Sequence, residues 1–141
     1  MMLSGYLALS IAALFTGAAI HLSVAEQPAR LGLDERGLLT EWRPSYKRGT
    51  AMQASLALLA FLLGMIAWWQ MGKTAFLIGA LLMLAPWPWT LLVIKPTNDA
   101  LLATDPIKAD GKTRAPGRLH LVRTALGALG TIAFLYALAA D

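Results

Sequence analysis

Apolar residues in this chain come in four long blocks, residues 3–25, 50–69, 74–94 and 118–140, and polar residues are swept into the intervals between them. A run of about 20 predominantly apolar residues is what a helix needs to cross a bilayer, so each block predicts a spanning helix. Only Gln70, Met71, Gly72 and Lys73 separate the second block from the third, which forces an antiparallel hairpin. The other two connections, 26–49 and 95–117, are longer and polar. The second of them carries Pro96, Pro106, Gly111, Pro116 and Gly117 and reads as an irregular loop that could fold over the helix ends as a lid. The expected fold is therefore all-α: an antiparallel four-helix transmembrane bundle, one domain over residues 1–141.

Composition strengthens that picture. The chain is 57% hydrophobic and only 14% charged, with a mean hydropathy of +0.59, which is too apolar for an ordinary soluble domain. The first block begins at Leu3 without a positive leader and outruns a signal-peptide core, so it reads as a retained membrane helix. Small residues, among them Gly17, Gly64, Gly79, Gly127 and Gly130, let helix backbones approach where lipid removes the hydrophobic drive between helices. Trp68 and Trp69 fit an aromatic belt.

Charge adds orientation. Arg30, Arg36, Arg43, Lys47 and Arg48 lie in the first long connection, and Lys95, Lys108, Lys112, Arg114 and Arg118 in or beside the other, against Lys73 alone in the hairpin. The positive-inside rule makes the long connections cytoplasmic and sends both termini and the hairpin outward, as in a bacterial inner membrane. The net charge of +4 is accounted for in the same way, and no nucleic-acid partner is expected. With no cysteine there is no disulfide, thiol nucleophile or zinc-thiolate site.

Up-down-up-down topology carries the unusual residues to one place. His21 and Glu26 end the first helix, Gln53 begins the second, Asn98 follows the third, and His120 with Arg123 begins the fourth. These are the chain's only two histidines, and ionisable residues in membrane helices are costly unless they face a partner or a cavity. Interfacial residues can also simply snorkel to water. Pro28 between Glu26 and Arg30 predicts a break or a new helix start, leaving Arg30 to meet Glu41 or a bound anion. Pro86 and Pro88 predict a kink in the third helix that opens a pocket lined by Trp87 and Trp89, whose bland role would be the aromatic belt.

His21, Glu26 and His120 form a ligand set that suits an oxygen-activating iron, and imidazoles from two helices can also ligate haem. No His-x-x-x-His or Glu-x-x-His motif accompanies them, and an arginine beside histidines favours an anionic ligand over a bare cation. The expectation is a site without a metal or other cofactor.

Read in order, Gly17-Ala18-Ala19-Ile20-His21, Glu26-Gln27-Pro28-Ala29-Arg30, Trp42-Arg43-Pro44-Ser45, Lys95-Pro96-Thr97-Asn98 and His120-Leu121-Val122-Arg123 resemble the anthrone oxygenase-like family of four-helix membrane proteins. The resemblance spans nearly the whole chain. Fungal members of that family oxidise a polyketide anthrone to an anthraquinone, and the family is described without an obvious metal or flavin motif. The resemblance implies His21 or His120 as a base, with Arg123 beside them, generating a carbanion that reacts with oxygen. It also implies a substrate held by Glu26, Arg30, Gln53, Trp87, Trp89 and Asn98. The partners expected are membrane lipid and a small aromatic or quinone-like molecule. The alternative is a non-enzymatic binding protein or an accessory subunit of a larger membrane complex; a homo-oligomer is compatible with either. Transport has less support, since no charged residue sits at mid-membrane to line a path.

Overall fold

The computed structural model describes residues 2–103 and 117–140. Over these residues the chain forms four long helices and no strand: α1 Leu3–Leu31, α2 Glu35–Met71, α3 Thr74–Leu102 and α4 Gly117–Ala139. All four are long and apolar enough to cross a membrane. Each packs against its neighbours in sequence, and α1 closes the ring against α4. The lid expected from the connection after α3 falls on residues 104–116, outside the described residues.

The interior is built by size rather than by hydropathy. Ala8, Ala12, Phe15 and Ala19 of α1 are buried, while Leu3, Leu7, Leu14 and Ile20 on the same helix are exposed. On α2, from Gln53 onward, the buried positions are Gln53, Ala57, Ala60, Gly64 and Ala67. On α4 they are Arg123, Gly127, Gly130, Phe134 and Ala137. Both sets alternate steps of four and three residues, the seam spacing of helices packed nearly parallel to each other's axes. Lipid-facing leucines gain nothing by turning inward, so close approach of small residues decides which face is buried. The aromatic exceptions need room: a Cβ on Gly64 or Gly79 would stand 2.6 Å from the ring of Phe134.

Helices outlast the apolar blocks. Residues 26–31, 35–49 and 95–102, expected to lie in polar connections, are helical, and only Gly32, Leu33 and Asp34 separate α1 from α2. Lost hydropathy marks where a helix leaves lipid, not where its backbone hydrogen bonding stops. The stop is set by Asp34, whose extended backbone and side-chain oxygen, accepting from the Gly37 N–H at 2.8 Å, form the N-cap of α2.

Prolines sit within the helices without ending them. In α1 a π-helical turn spans Leu22–Glu26, and the Gln27 N–H reaches back five residues to the Leu22 carbonyl. In α3 a π-helical turn spans Thr90–Ile94, and the Lys95 N–H reaches the Thr90 carbonyl in the same way. The residue that follows is proline in both cases, Pro28 and Pro96. One extra residue in the turn moves the carbonyl that a proline ring would strike, so the helix continues past it. The break expected at Pro28 is thus absorbed as a bulge.

The opposite end is closed by hydrogen bonds. Gly72, at φ 66°, terminates α2 and returns the chain into α3. Ser4 donates to Gln70 at 2.7 Å, and the Lys73 ammonium donates to the Ala137 carbonyl at 3.0 Å and to that of Ala140. Lys73 thereby caps the C-terminal end of α4. Lys73→Met is expected to lower stability by about 1 kcal/mol, seen as a lower unfolding midpoint in detergent, with no change in ligand binding at the far end.

Candidate functional site

Two polar residues stand in the small-residue seams, and both do so at the same end of the bundle. Gln53 occupies the first position of the α2 seam and Arg123 the first of the α4 seam. Helical register therefore aims a carboxamide and a guanidinium into the interior, where they are 5% and 7% exposed. The π-turns in α1 and α3 lie at this end too, so all four helices depart from regular packing around the same region.

Two cavities result. The larger, about 250 Å³, is lined by Phe15, Thr50, Ala54, Ala57, Pro86, Trp87 and Leu91 together with Gln53, Thr90 and Arg123. Its walls are predominantly apolar, and Trp87 and Leu91 also reach the outer surface between α2 and α3. The second, about 140 Å³, is the more polar of the two and is lined by His21, Glu26, Arg30, Ser45, Tyr46, His120 and others. Thr50, Gln53, Thr90 and Arg123 line both cavities, making an apolar slot and a polar chamber that meet at one guanidinium.

The two buried arginines are in opposite states. Arg30, 5% exposed, donates to Glu26 at 2.6 Å, to Glu41, to Ser45 at 3.2 Å and to Gln27 at 3.3 Å. Ser45 also donates to Glu26 at 2.5 Å. This network ties the end of α1 to the start of α2, and its two carboxylates outnumber its one cation. Arg123 has none of this: its Nε has no hydrogen-bond partner, and no carboxylate among the described residues pairs with it. The Oε1 of Gln53 is likewise buried without a partner.

Of the residues expected at the site, His21, Glu26, Arg30, Gln53, His120 and Arg123 share the polar chamber, with His21 at its exposed margin. Trp87 lines the apolar slot and donates its indole N–H to the Ala54 carbonyl at 3.3 Å. Trp89 lines none of these cavities; its indole N–H donates to the Leu119 carbonyl at 3.1 Å, pinning α3 to α4. Asn98 lies in a third, much smaller cavity that it shares with His120. Among the described residues, no group of three or more histidine and carboxylate side chains is arranged to hold a metal ion.

Sequence reasoning missed Phe15, Ser45, Tyr46, Thr50 and Thr90. On α2 the signal was present: Trp42, Tyr46, Gly49, Thr50 and Gln53 follow helical spacing, and the Trp42 and Tyr46 rings stack at 4.9 Å. It is visible only if the helix is carried back into the polar stretch.

A model of the anthrone oxygenase family matches residues 42–133, about two thirds of the chain. The chain belongs to the anthrone oxygenase family. The matched stretch includes Gln53, Trp87, Trp89, Asn98, His120 and Arg123, whereas α1, with His21, Glu26 and Arg30, precedes it. No curated protein and no solved structure matches the chain. An anthrone is a flat apolar ketone whose conjugate base is a delocalised oxyanion.

Proposed function

We propose that this chain is a membrane oxygenase that converts a lipid-soluble, anthrone-like aromatic ketone to the corresponding quinone with dioxygen. The observation that supports the reading most is Arg123, a buried cation without a carboxylate partner among the described residues, at the junction of an apolar slot and a polar chamber. A buried guanidinium in that setting favours an anion. The aromatic body would occupy the slot against Trp87 and Phe15, and the carbonyl oxygen would face Arg123.

His120, in the polar chamber, serves as the base. It takes a proton from the methylene of the ketone, and the electron pair delocalises onto the carbonyl oxygen, where Arg123 holds the negative charge. The carbanionic carbon is oxidised by dioxygen in two one-electron steps and forms a C–O bond, giving a hydroperoxide that recovers the proton from His120. Loss of the second methylene proton breaks the O–O bond, leaving a new C=O and one water. Dioxygen is the oxidant throughout, and each ketone consumes one. The basic residues Arg36, Lys47, Arg48 and Lys95 stand exposed at the site end, which supports placing that end on the cytoplasmic side.

The test is oxygen uptake and quinone absorbance with protein in lipid nanodiscs and an anthrone as substrate, measured against protein-free autoxidation. Equimolar uptake and quinone formation are expected, falling to the protein-free rate in the His21→Ala, His120→Ala double variant. Full activity in that variant eliminates the histidine base. Saturable binding without any acceleration instead establishes a non-enzymatic binding protein.

A further inference from the structure

Beyond the two cavities of the proposed substrate site lies a third, about 20 Å³, lined by Gln27, Thr97, Asn98, Leu101, Leu119 and His120 among others. His120 lines both this space and the polar chamber. Asn98 is 5% exposed, its Nδ2 has no hydrogen-bond partner, and the Nδ1 of His120 is buried and unpartnered as well. The two nitrogens do not bond each other. A volume of about 20 Å³ holds a single water, provided two to four polar groups face it.

We propose that this cavity is a water site, and that Asn98 acts through the water as a positioning residue for His120. The hydrogen-bond inventory sets the direction. An amide Nδ2 only donates, so it fills one lone pair of the water oxygen. Arg30 also lines the cavity, but its guanidinium is engaged by Glu26, Gln27, Glu41 and Ser45; Thr97, and Gln27 through the second lone pair of its Oε1, offer acceptor oxygens for the water's two hydrogens. The remaining lone pair then faces the imidazole, and the water accepts from an N–H at Nδ1. That fixes His120 as the Nδ1–H tautomer and leaves the lone pair on Nε2, the form a general base requires. The catalytic consequence rests on the oxygenase reading; the water and the tautomer do not.

The chain's two histidines make the test direct. Nitrogen NMR of ¹⁵N-histidine-labelled protein in nanodiscs, with His120 assigned by its loss in His120→Gln, reads the tautomer. The wild-type protein is expected to show neutral His120 protonated at Nδ1, in contact with a slowly exchanging water. Asn98→Leu should lose the water contact and mix the tautomers, and should lower kcat about tenfold to a hundredfold with little change in KM. Asn98→Ser, which restores a donor, should recover part of both, and it remains informative if the leucine variant does not fold. Protonation of wild-type His120 at Nε2, or an unchanged tautomer in Asn98→Leu, overturns the proposal. Failure of the oxygenase reading would appear separately, as a fixed Nδ1–H tautomer in a protein that does not accelerate quinone formation.

Discussion

Arg123→Met should lose quinone formation while the protein becomes harder to unfold. The arginine is 7% exposed with no carboxylate partner among the described residues, so the folded chain bears the desolvation of a lone cation. Methionine is of similar length, fills the same seam position ahead of Gly127, and carries no charge to desolvate. Relief of that burden should raise stability by about 1 kcal/mol or more. On the proposed reading the same change removes the group that holds the developing oxyanion, at a cost of about 10²- to 10³-fold in kcat. Arg123→Lys should fall between, since an ammonium supplies charge without the planar fork. Thermal unfolding in detergent and the quinone assay together decide the matter. A variant that loses stability along with activity would make Arg123 a structural strut and remove the main support for an anionic ligand.

The contrast with Arg30 explains why burial alone does not mark a ligand-binding cation. Both arginines were visible in the sequence as site candidates, and both are buried. What separates them is the company supplied by α1 and α2: Glu26, Gln27, Glu41 and Ser45 bond Arg30 and leave it committed to holding two helices together. Glu41 and Ser45 belong to a stretch whose polarity made it look like a connection. Once that stretch is helical, Glu41 and Ser45 are successive turns facing α1.

The four spans and the single polar end were legible because lipid imposes them: long apolar runs, a four-residue hairpin and uneven basic residues admit few other arrangements. That Gln53 and Arg123 would meet at that end was also legible, since topology alone brings their helix ends together. The division of that end into a slot, a chamber and a small water-sized cavity was not. It depends on the π-turns before Pro28 and Pro96, which keep α1 and α3 running where proline chemistry suggests a stop. Trp87 and Trp89 show the same limit at finer scale: they are two residues apart on one helical segment, yet one faces the slot and the other bonds α4.

The second large effect is expected far from the site, at Gly79. A Cβ there would lie 2.6 Å from two ring atoms of Phe134 and 3.2 Å from the Gly130 carbonyl oxygen. Phe134 is fully buried, packs at 6.1 Å from Phe76 and is confined on the α2 side by Gly64, so it has nowhere to turn. Gly79→Val should therefore separate α3 from α4 and cost about 3 kcal/mol or more, the upper range for overpacking a core. Phe134→Leu alone opens space and should cost about 1–2 kcal/mol. If the ring is the obstacle, the double variant should be more stable than Gly79→Val alone, a non-additivity of at least about 1 kcal/mol in unfolding free energy. Additive losses would place the obstacle in the Gly130 backbone instead. Because Phe134 lies on the α4 seam with Gly130, Gly127 and Arg123, spreading the helices at Gly79 should also displace Arg123. Gly79→Val is thus expected to weaken ligand binding, and Phe134→Leu to restore it together with stability.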